Sequence, residues 1–256
     1  MFFIWQIWHD LTTMLALIRY ILLGIWIAIV TIIGIVICFS RPKHPENLSD
    51  LCYLIQLSKY FLGIDMRRRN DHYLQEGHPG VMISNHQSNF DIIPGAYIIP
   101  PKTYTIGKKS ILYIPFFGLF YYLTGNILID RKNKKKAFGT MDAAAKAILK
   151  EDKSIWIMPE GTRSKGRGLL PFKKGPFITA IKTQRPITII AWSNYVGKLD
   201  LNKPRAGVIL TEVLPPIETT GLTLDDVDML KEKCYNQLKM TIQRLDLEVE
   251  AIEKKV

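Results

Sequence analysis

The chain has 256 residues, enough for one substantial α/β domain with an appendage and a core that needs no staples, which argues against two full domains. Lysine and arginine number 34 against 23 acidic residues, and the net charge of +11 points to a polyanionic partner, either nucleic acid or an anionic lipid surface. Cys38, Cys52 and Cys234 are widely spaced and form no C-x-x-C pair, which argues against a disulfide framework and against a zinc site; Cys38, inside an apolar run, reads as a small buried hydrophobe.

The first element selects the lipid partner. From Tyr20 to Phe39 twenty consecutive residues carry no charge, and a helix rising 1.5 Å per residue reaches about 30 Å over that length, the thickness of a hydrocarbon core. The preceding stretch Phe2 to Trp8 is aromatic and interfacial in character. A second apolar piece, Leu51 to Leu62, follows a hinge at Arg41 to Pro45. It is short for a span and fits either the return limb of a helical hairpin in one leaflet or a helix packed on the globular domain. Arg41, Lys43 and Arg67 to Arg69 follow the apolar run while only Arg19 precedes it. That bias places the main domain on the cytoplasmic side of the cytoplasmic (inner) membrane, although the triple arginine fits a solvated turn equally well. The expected division is a membrane-anchoring helical segment over 1–65 and an α/β domain over 66–256.

Past Arg69, short β-rich runs alternate with longer helical ones. Expected strands are Val81 to Ser84, Thr103 to Gly107, Ile155 to Met158, Ile187 to Trp192 and Val208 to Val213. Expected helices are Ile92 to Ile98, Ser110 to Thr124, Lys135 to Lys150 and Pro176 to Thr183. That order predicts an α/β fold with a mixed or largely parallel sheet flanked by helices. A last helix runs from Leu224 to about Ile252, opened by Thr223 with Asp226 three residues on, and buries Val227, Leu230, Cys234, Leu238, Ile242 and Leu245.

Three strand ends carry chemistry. After Val81 to Ser84 comes Asn85-His86-Gln87-Ser88-Asn89-Phe90-Asp91, an imidazole and a carboxylate five residues apart on one turn. A neutral imidazole can take a proton from an alcohol, and a carboxylate fixes its tautomer and supports the imidazolium that forms. Caps and turns also use such pairs, so spacing alone leaves both readings open. After Ile155 to Met158 comes Pro159-Glu160-Gly161-Thr162-Arg163-Ser164, with a carboxylate, a flexible backbone point and a guanidinium fork suited to phosphate. Gly107-Lys108-Lys109-Ser110 follows a third strand and leads into a helical run, a setting that favours an anion. Together the three describe an acceptor phosphate held at a bilayer surface with a base aimed at a neighbouring hydroxyl.

With these blocks in order, the chain resembles the glycerolipid acyltransferases, and in particular their bacterial members that acylate lysophosphatidic acid. The N-H-Q-S-x-x-D block at 85–91 is similar to the family's catalytic motif, and Pro159 to Ser164 to its P-E-G-T-R-S motif. The stretch from Gly107 to Ser110 through Ile114-Pro115-Phe116-Phe117-Gly118 and Ile129-Asp130-Arg131 is similar to its second motif region. The likeness runs from roughly Met66 to Val249. It implies that His86 deprotonates the 2-hydroxyl of 1-acyl-sn-glycerol-3-phosphate while Asp91 orients the ring. The alkoxide then attacks the thioester of acyl-CoA or acyl-carrier protein without an acyl-enzyme. It further implies that Lys108 and Arg163 hold the phosphate, that Glu160, Gly161 and Thr162 belong to the substrate-binding block, and that no cofactor or metal takes part. The chain departs from the family at Pro186-Ile187-Thr188-Ile189-Ile190, where only the first of two usual prolines remains, and at Met158, where phenylalanine is common. We read the former strand as wall or core.

The rival readings fare less well. A serine hydrolase would need a G-x-S-x-G elbow, which the sequence lacks. His9, His44, His72 and His78 make no ligand-spaced pair with His86. A tethered lipid-binding module would explain the charge but not the ordered strand-end motifs. Neither an aromatic-rich binding block nor a zinc or helix-turn-helix pattern supports nucleic acid.

Overall fold

The computed structural model describes residues 2–74, 79–130 and 134–255, with side chains from Met14 onward except at 131–138. Arg131, His78 and the side chains of His9 and of Phe2 to Trp8 lie outside the described residues. The chain opens with α1 (Phe2–Ser40), α2 (Asn47–Gln56) and α3 (Ser58–Leu62). With no proline to interrupt it, the apolar run is one helix, and from Met14 to Ser40 it is long and apolar enough to cross a membrane. Arg19, Leu23, Val30 and Cys38 form a buried stripe at helical spacing, while Leu17, Ile21, Ile25, Ile32 and Val36 stay exposed.

The second apolar piece packs on the globular domain, one of the two readings open to it. α2 follows a turn and returns along α1, and it buries Leu48, Leu51, Cys52 and Ile55 with Val30 of α1 and with Ala96 and Phe120 of the α/β body. α3 stops at Gly63, whose φ of +69° gives the left-handed C-terminal turn. A β-carbon there would meet the Pro204 carbonyl at 2.2 Å, so glycine is required for space as well as for conformation.

The body then runs β1 (Ile64–Arg69), β2 (Val81–Ser84), α4 (Ile92–Ile98), β3 (Thr103–Lys108), α5 (Phe117–Leu123) and β4 (Ile127–Ile129). It continues with α6 (Lys134–Lys150), β5 (Ser154–Ile157), α7 (Gly175–Thr183), β6 (Ile187–Trp192), β7 (Gly207–Val213) and α8 (Val227–Glu253). The seven strands form one mixed sheet in the order β1-β7-β6-β2-β5-β3-β4. β6, β2, β5, β3 and β4 are parallel; β7 runs against β6, and β1 runs with β7. Helices cover both faces, so strand residues alternate between two cores. Val81 and Ile83 meet the helices α6 to α8, whereas Met82, Trp156 and Trp192 meet α4 and Leu23 of α1.

Most expected elements fall where periodicity put them, and the differences have physical causes. β1 begins at Ile64, so a strand crosses the expected division at 65/66. Its Arg67-Arg68-Arg69 lies on an edge strand rather than in a turn, and Arg69 pairs with Glu248 of α8 at 2.6 Å. Charges along a strand edge discourage pairing with another chain. The helix expected from Ser110 to Thr124 is two pieces, a 3₁₀ turn over Lys109–Tyr113 and then α5. Pro115 forces Ile114 to extended backbone (ψ 118°), and the chain turns at Phe116 (φ 59°) before α5 can start. β6, read as wall or core, is buried at all six positions.

Candidate active site

The carboxyl ends of β2, β5, β3 and β6 share one edge because the four strands are parallel, and in open α/β sheets ligands bind at that edge. The loop leaving β2 is fastened on both sides. Towards β6, the Asn85 amide donates to the Trp192 carbonyl (2.9 Å) and its oxygen accepts from the Trp192 N–H (3.1 Å). Gln87 repeats the device with the Ser193 carbonyl (2.9 Å) and the Tyr195 N–H (3.0 Å). Towards β5, Ser164 N–H donates to the His86 carbonyl (2.8 Å) and Lys165 N–H to that of Gln87 (3.0 Å). Residues 85–87 thus lie like an extra strand segment between two loops, and His86 takes a fixed direction.

Asp91 sits in the 3₁₀ turn Asn89–Asp91, closed by a capping box with Ser88. Its carboxylate is 3% exposed and accepts at Oδ2 from His86 Nδ1 (2.5 Å), Gln87 N–H (2.8 Å) and Ser88 N–H (3.2 Å), while Oδ1 accepts from the Tyr195 hydroxyl. The bond to Nδ1 fixes the tautomer with hydrogen on Nδ1 and leaves Nε2 as the free lone pair on a ring that is 17% exposed. The arrangement can accept a proton from an approaching hydroxyl.

Glu160 is inside rather than in the cleft. It is 2% exposed, accepting from the His86 N–H at 2.5 Å through Oε1 and from the Leu170 N–H at 2.9 Å through Oε2. Burial pushes its carboxyl up to about 7, against the pull of the Leu170 and His86 amides and with a further push from the Asp91 charge. Gly161, at φ +68°, turns the chain so that Glu160 faces inward and Thr162 and Arg163 face solvent. Arg163 hydrogen-bonds the Asn89 side-chain oxygen and so ties the two motif loops together. Lys108 ends β3, exposed, two strands from β2 and hence roughly 10 Å away laterally. It is followed by a 3₁₀ turn, not the α-helix N-terminus the sequence suggested.

His86, Asp91, Glu160 and Arg163 therefore form one connected cluster with the exposed Thr162 beside Arg163, whereas Lys108 stands apart from it on β3. Sequence reasoning missed Asn85 and Gln87 as braces and Tyr195 as a partner of Asp91. The first two stood inside the motif, whereas Tyr195 carried no local signal. Among the described residues no group of three or more His, Cys, Asp or Glu side chains is arranged to hold a metal ion.

A His–Asp pair of this geometry at the carboxyl edge of parallel strands beside an apolar helix narrows the class, and comparison with known proteins fixes it. The Acyltransferase family model matches residues 65–193, and the chain belongs to that family and is an acyltransferase. It is 38% identical over 236 residues to the 1-acyl-sn-glycerol-3-phosphate acyltransferase of Salmonella typhimurium, covering 92% of this chain and 96% of the relative. It is 34% identical to the human 1-acyl-sn-glycerol-3-phosphate acyltransferase alpha, covering 83% of this chain and 76% of the relative. In fold it is similar to the crystal structure of the 1-acyl-sn-glycerophosphate acyltransferase of Thermotoga maritima, with a TM-score of 0.71 at 17% identity over 91% of this chain and 95% of that one.

Proposed function

We propose that this protein transfers an acyl chain from an acyl thioester, acyl-CoA or acyl-carrier protein, to the 2-hydroxyl of 1-acyl-sn-glycerol-3-phosphate, giving phosphatidic acid for phospholipid biosynthesis. The observation that carries the reading is the His86–Asp91 pair, bonded at 2.5 Å, in a chain this similar to proteins named for that reaction. His86 Nε2 takes the hydroxyl proton as the oxygen attacks the thioester carbonyl. The C–S bond then breaks and the imidazolium returns the proton to the departing thiolate, with no acyl-enzyme and no cofactor. Asp91 supports the imidazolium, while Arg163 and Lys108 hold the phosphate as a guanidinium fork and a point charge. Glu160 and Gly161 shape the acceptor site by fixing the loops that carry His86 and Arg163.

The membrane side of the reading rests on α1. From Arg19 to Cys38 one side of it is covered by α2, α3 and the body together, over about 30 Å. A full span would drag that cover into hydrocarbon, so we assign α1 to one leaflet, seated by its uncovered face. Tyr53, Tyr113, Phe116 and Tyr122 add exposed aromatic rings suited to the headgroup level, and Lys108 and Lys109 add charge suited to an anionic leaflet. The bias of basic residues puts this face against the cytoplasmic leaflet.

The test is a screen of the purified protein in liposomes with lysophosphatidic acid and a panel of acyl-CoA and acyl-carrier-protein donors, with products identified by mass spectrometry. Phosphatidic acid is expected; its absence with every donor overturns the reading, and free fatty acid in its place reassigns the pair to hydrolysis.

A further inference from the structure

The two oxygens of Asp91 are unequally supplied. Oδ2 accepts from the His86 ring and from two backbone amides, whereas Oδ1 accepts, among the described residues, from the Tyr195 hydroxyl. A carboxylate this deeply buried stays ionised only if both oxygens are satisfied; an orphaned one either protonates or turns away. Tyr195 belongs to none of the motif blocks and arrives from the loop after β6. It is 3% exposed and is held independently of Asp91: its backbone N–H donates to Gln87 Oε1 at 3.0 Å, and its ring packs in the cluster that contains Trp192.

The hydrogens can be placed without conflict. Ser88 Oγ accepts from the Phe90 N–H at 2.9 Å and lies 3.0 Å from the Tyr195 oxygen. Since Asp91 can only accept, the Tyr195 hydrogen goes to Oδ1, and the Ser88 hydroxyl donates to the Tyr195 oxygen. Burial, and then the neighbouring Asp91 charge, push the phenol well above its ordinary range, so it stays a donor at every working pH.

We propose that Tyr195 is a positioning residue of the acyl transfer, which by donating to Asp91 Oδ1 holds that carboxylate with its Oδ2 aimed at His86 Nδ1. The inference rests on His86 being the base. Removing the hydroxyl withdraws a donor from the anionic side of the pair, so the pair holds its proton more tightly and the base is neutral only at higher pH. Among the described residues, the titratable and charged groups tied to the loops of the pair include Glu160, on the His86 amide and itself raised to about 7, and Arg163, through Asn89; both remain when Tyr195 is changed.

The experiment compares Tyr195→Phe with wild type in liposomes, using a lysophospholipid acceptor and an acyl thioester, over about pH 5 to 9. We expect kcat to fall about 10- to 100-fold, the range one charge-assisted hydrogen bond supports, with both KM values unchanged and the acid limb of the kcat profile displaced to higher pH. In an Asp91→Ala background the same change is expected to cost nothing further, because the hydroxyl has lost its acceptor. A merely structural Tyr195 would lower activity equally in both backgrounds and leave the acid limb in place, and that result overturns the proposal. If the phenylalanine variant does not fold, fluorinated tyrosine placed at 195 keeps the shape and strengthens the donor. The acid limb must then move to lower pH, and an unmoved limb overturns the proposal. His86→Ala separates the two readings: an active variant removes the base itself, whereas an inactive one beside a fully active Tyr195→Phe removes only the role of Tyr195.

Discussion

Arg19 and Asp91 are both buried charges, and the fold treats them in opposite ways. The Arg19 guanidinium, 5% exposed, donates to the Phe61 carbonyl (3.0 Å) and to those of Leu201 (2.8 Å), Lys203 (2.6 Å) and Pro204 (2.8 Å). All four hydrogen-bond acceptors are backbone carbonyls, with the Asp200 charge nearby, so the cation is engaged in clamping α1 to the body. Asp91 is satisfied as fully, yet one of its bonds goes to a ring that reaches solvent. A buried charge spent wholly on backbone holds structure, whereas one that shares its charge with an accessible titrating group can act in chemistry.

That contrast can be broken at either end. The largest expected effect is at the chemical end: His86→Ala lowers turnover by at least about 10³-fold while the unfolding midpoint stays at its wild-type value, and residual activity near wild type would dissolve the contrast. Arg19→Leu does the reverse. It removes a set of charge-assisted bonds and should cost about 3 kcal/mol of stability, read by denaturant titration in detergent, with kcat of the folded protein unchanged. A variant as stable as wild type would show that apolar packing alone holds α1.

Arg163→Ala should raise the acceptor KM about 10-fold with a small change in kcat, because an exposed guanidinium that bonds Asn89 and not the His86 ring contributes binding rather than proton transfer. An unchanged dependence on acceptor concentration takes Arg163 out of the phosphate site. The smallest effect concerns Glu160. Its folded value, about 7, lies above the ordinary 4.5, so between those values the unfolded chain releases a proton that the folded one keeps. Stability is therefore highest below pH 4.5 with respect to this group and declines as pH rises through 7. Glu160→Gln should flatten that decline in the thermal midpoint, and equal slopes for the two proteins would show that the carboxyl is ionised throughout.

How much could be read in advance follows from where the information sits. β2 and β6, buried strands made of apolar residues, match their expected bounds because central parallel strands read as short apolar runs. β1 was hidden because Arg67 to Arg69 look like solvent-facing charge; only its pairing with β7 reveals a strand. β4, three residues long, offers too short a pattern for periodicity. In the site, His86 and Asp91 share a turn, and their five-residue spacing made the pair visible. The inward turn of Glu160 was not visible, since its partners are backbone amides of residues remote in sequence.

The sequence by itself determined that an apolar helix precedes a mixed α/β domain, and that an imidazole with a carboxylate, a guanidinium and an ammonium group fall at strand ends. These are local properties, carried by periodicity, spacing and residue chemistry. Only the tertiary structure decided that α1 is clamped along the body, that Glu160 braces the His86 loop from within, and that Tyr195 completes the shell of Asp91. Those contacts join segments far apart in the chain, and their energies come from burial and mutual hydrogen bonding, which no single stretch of sequence contains.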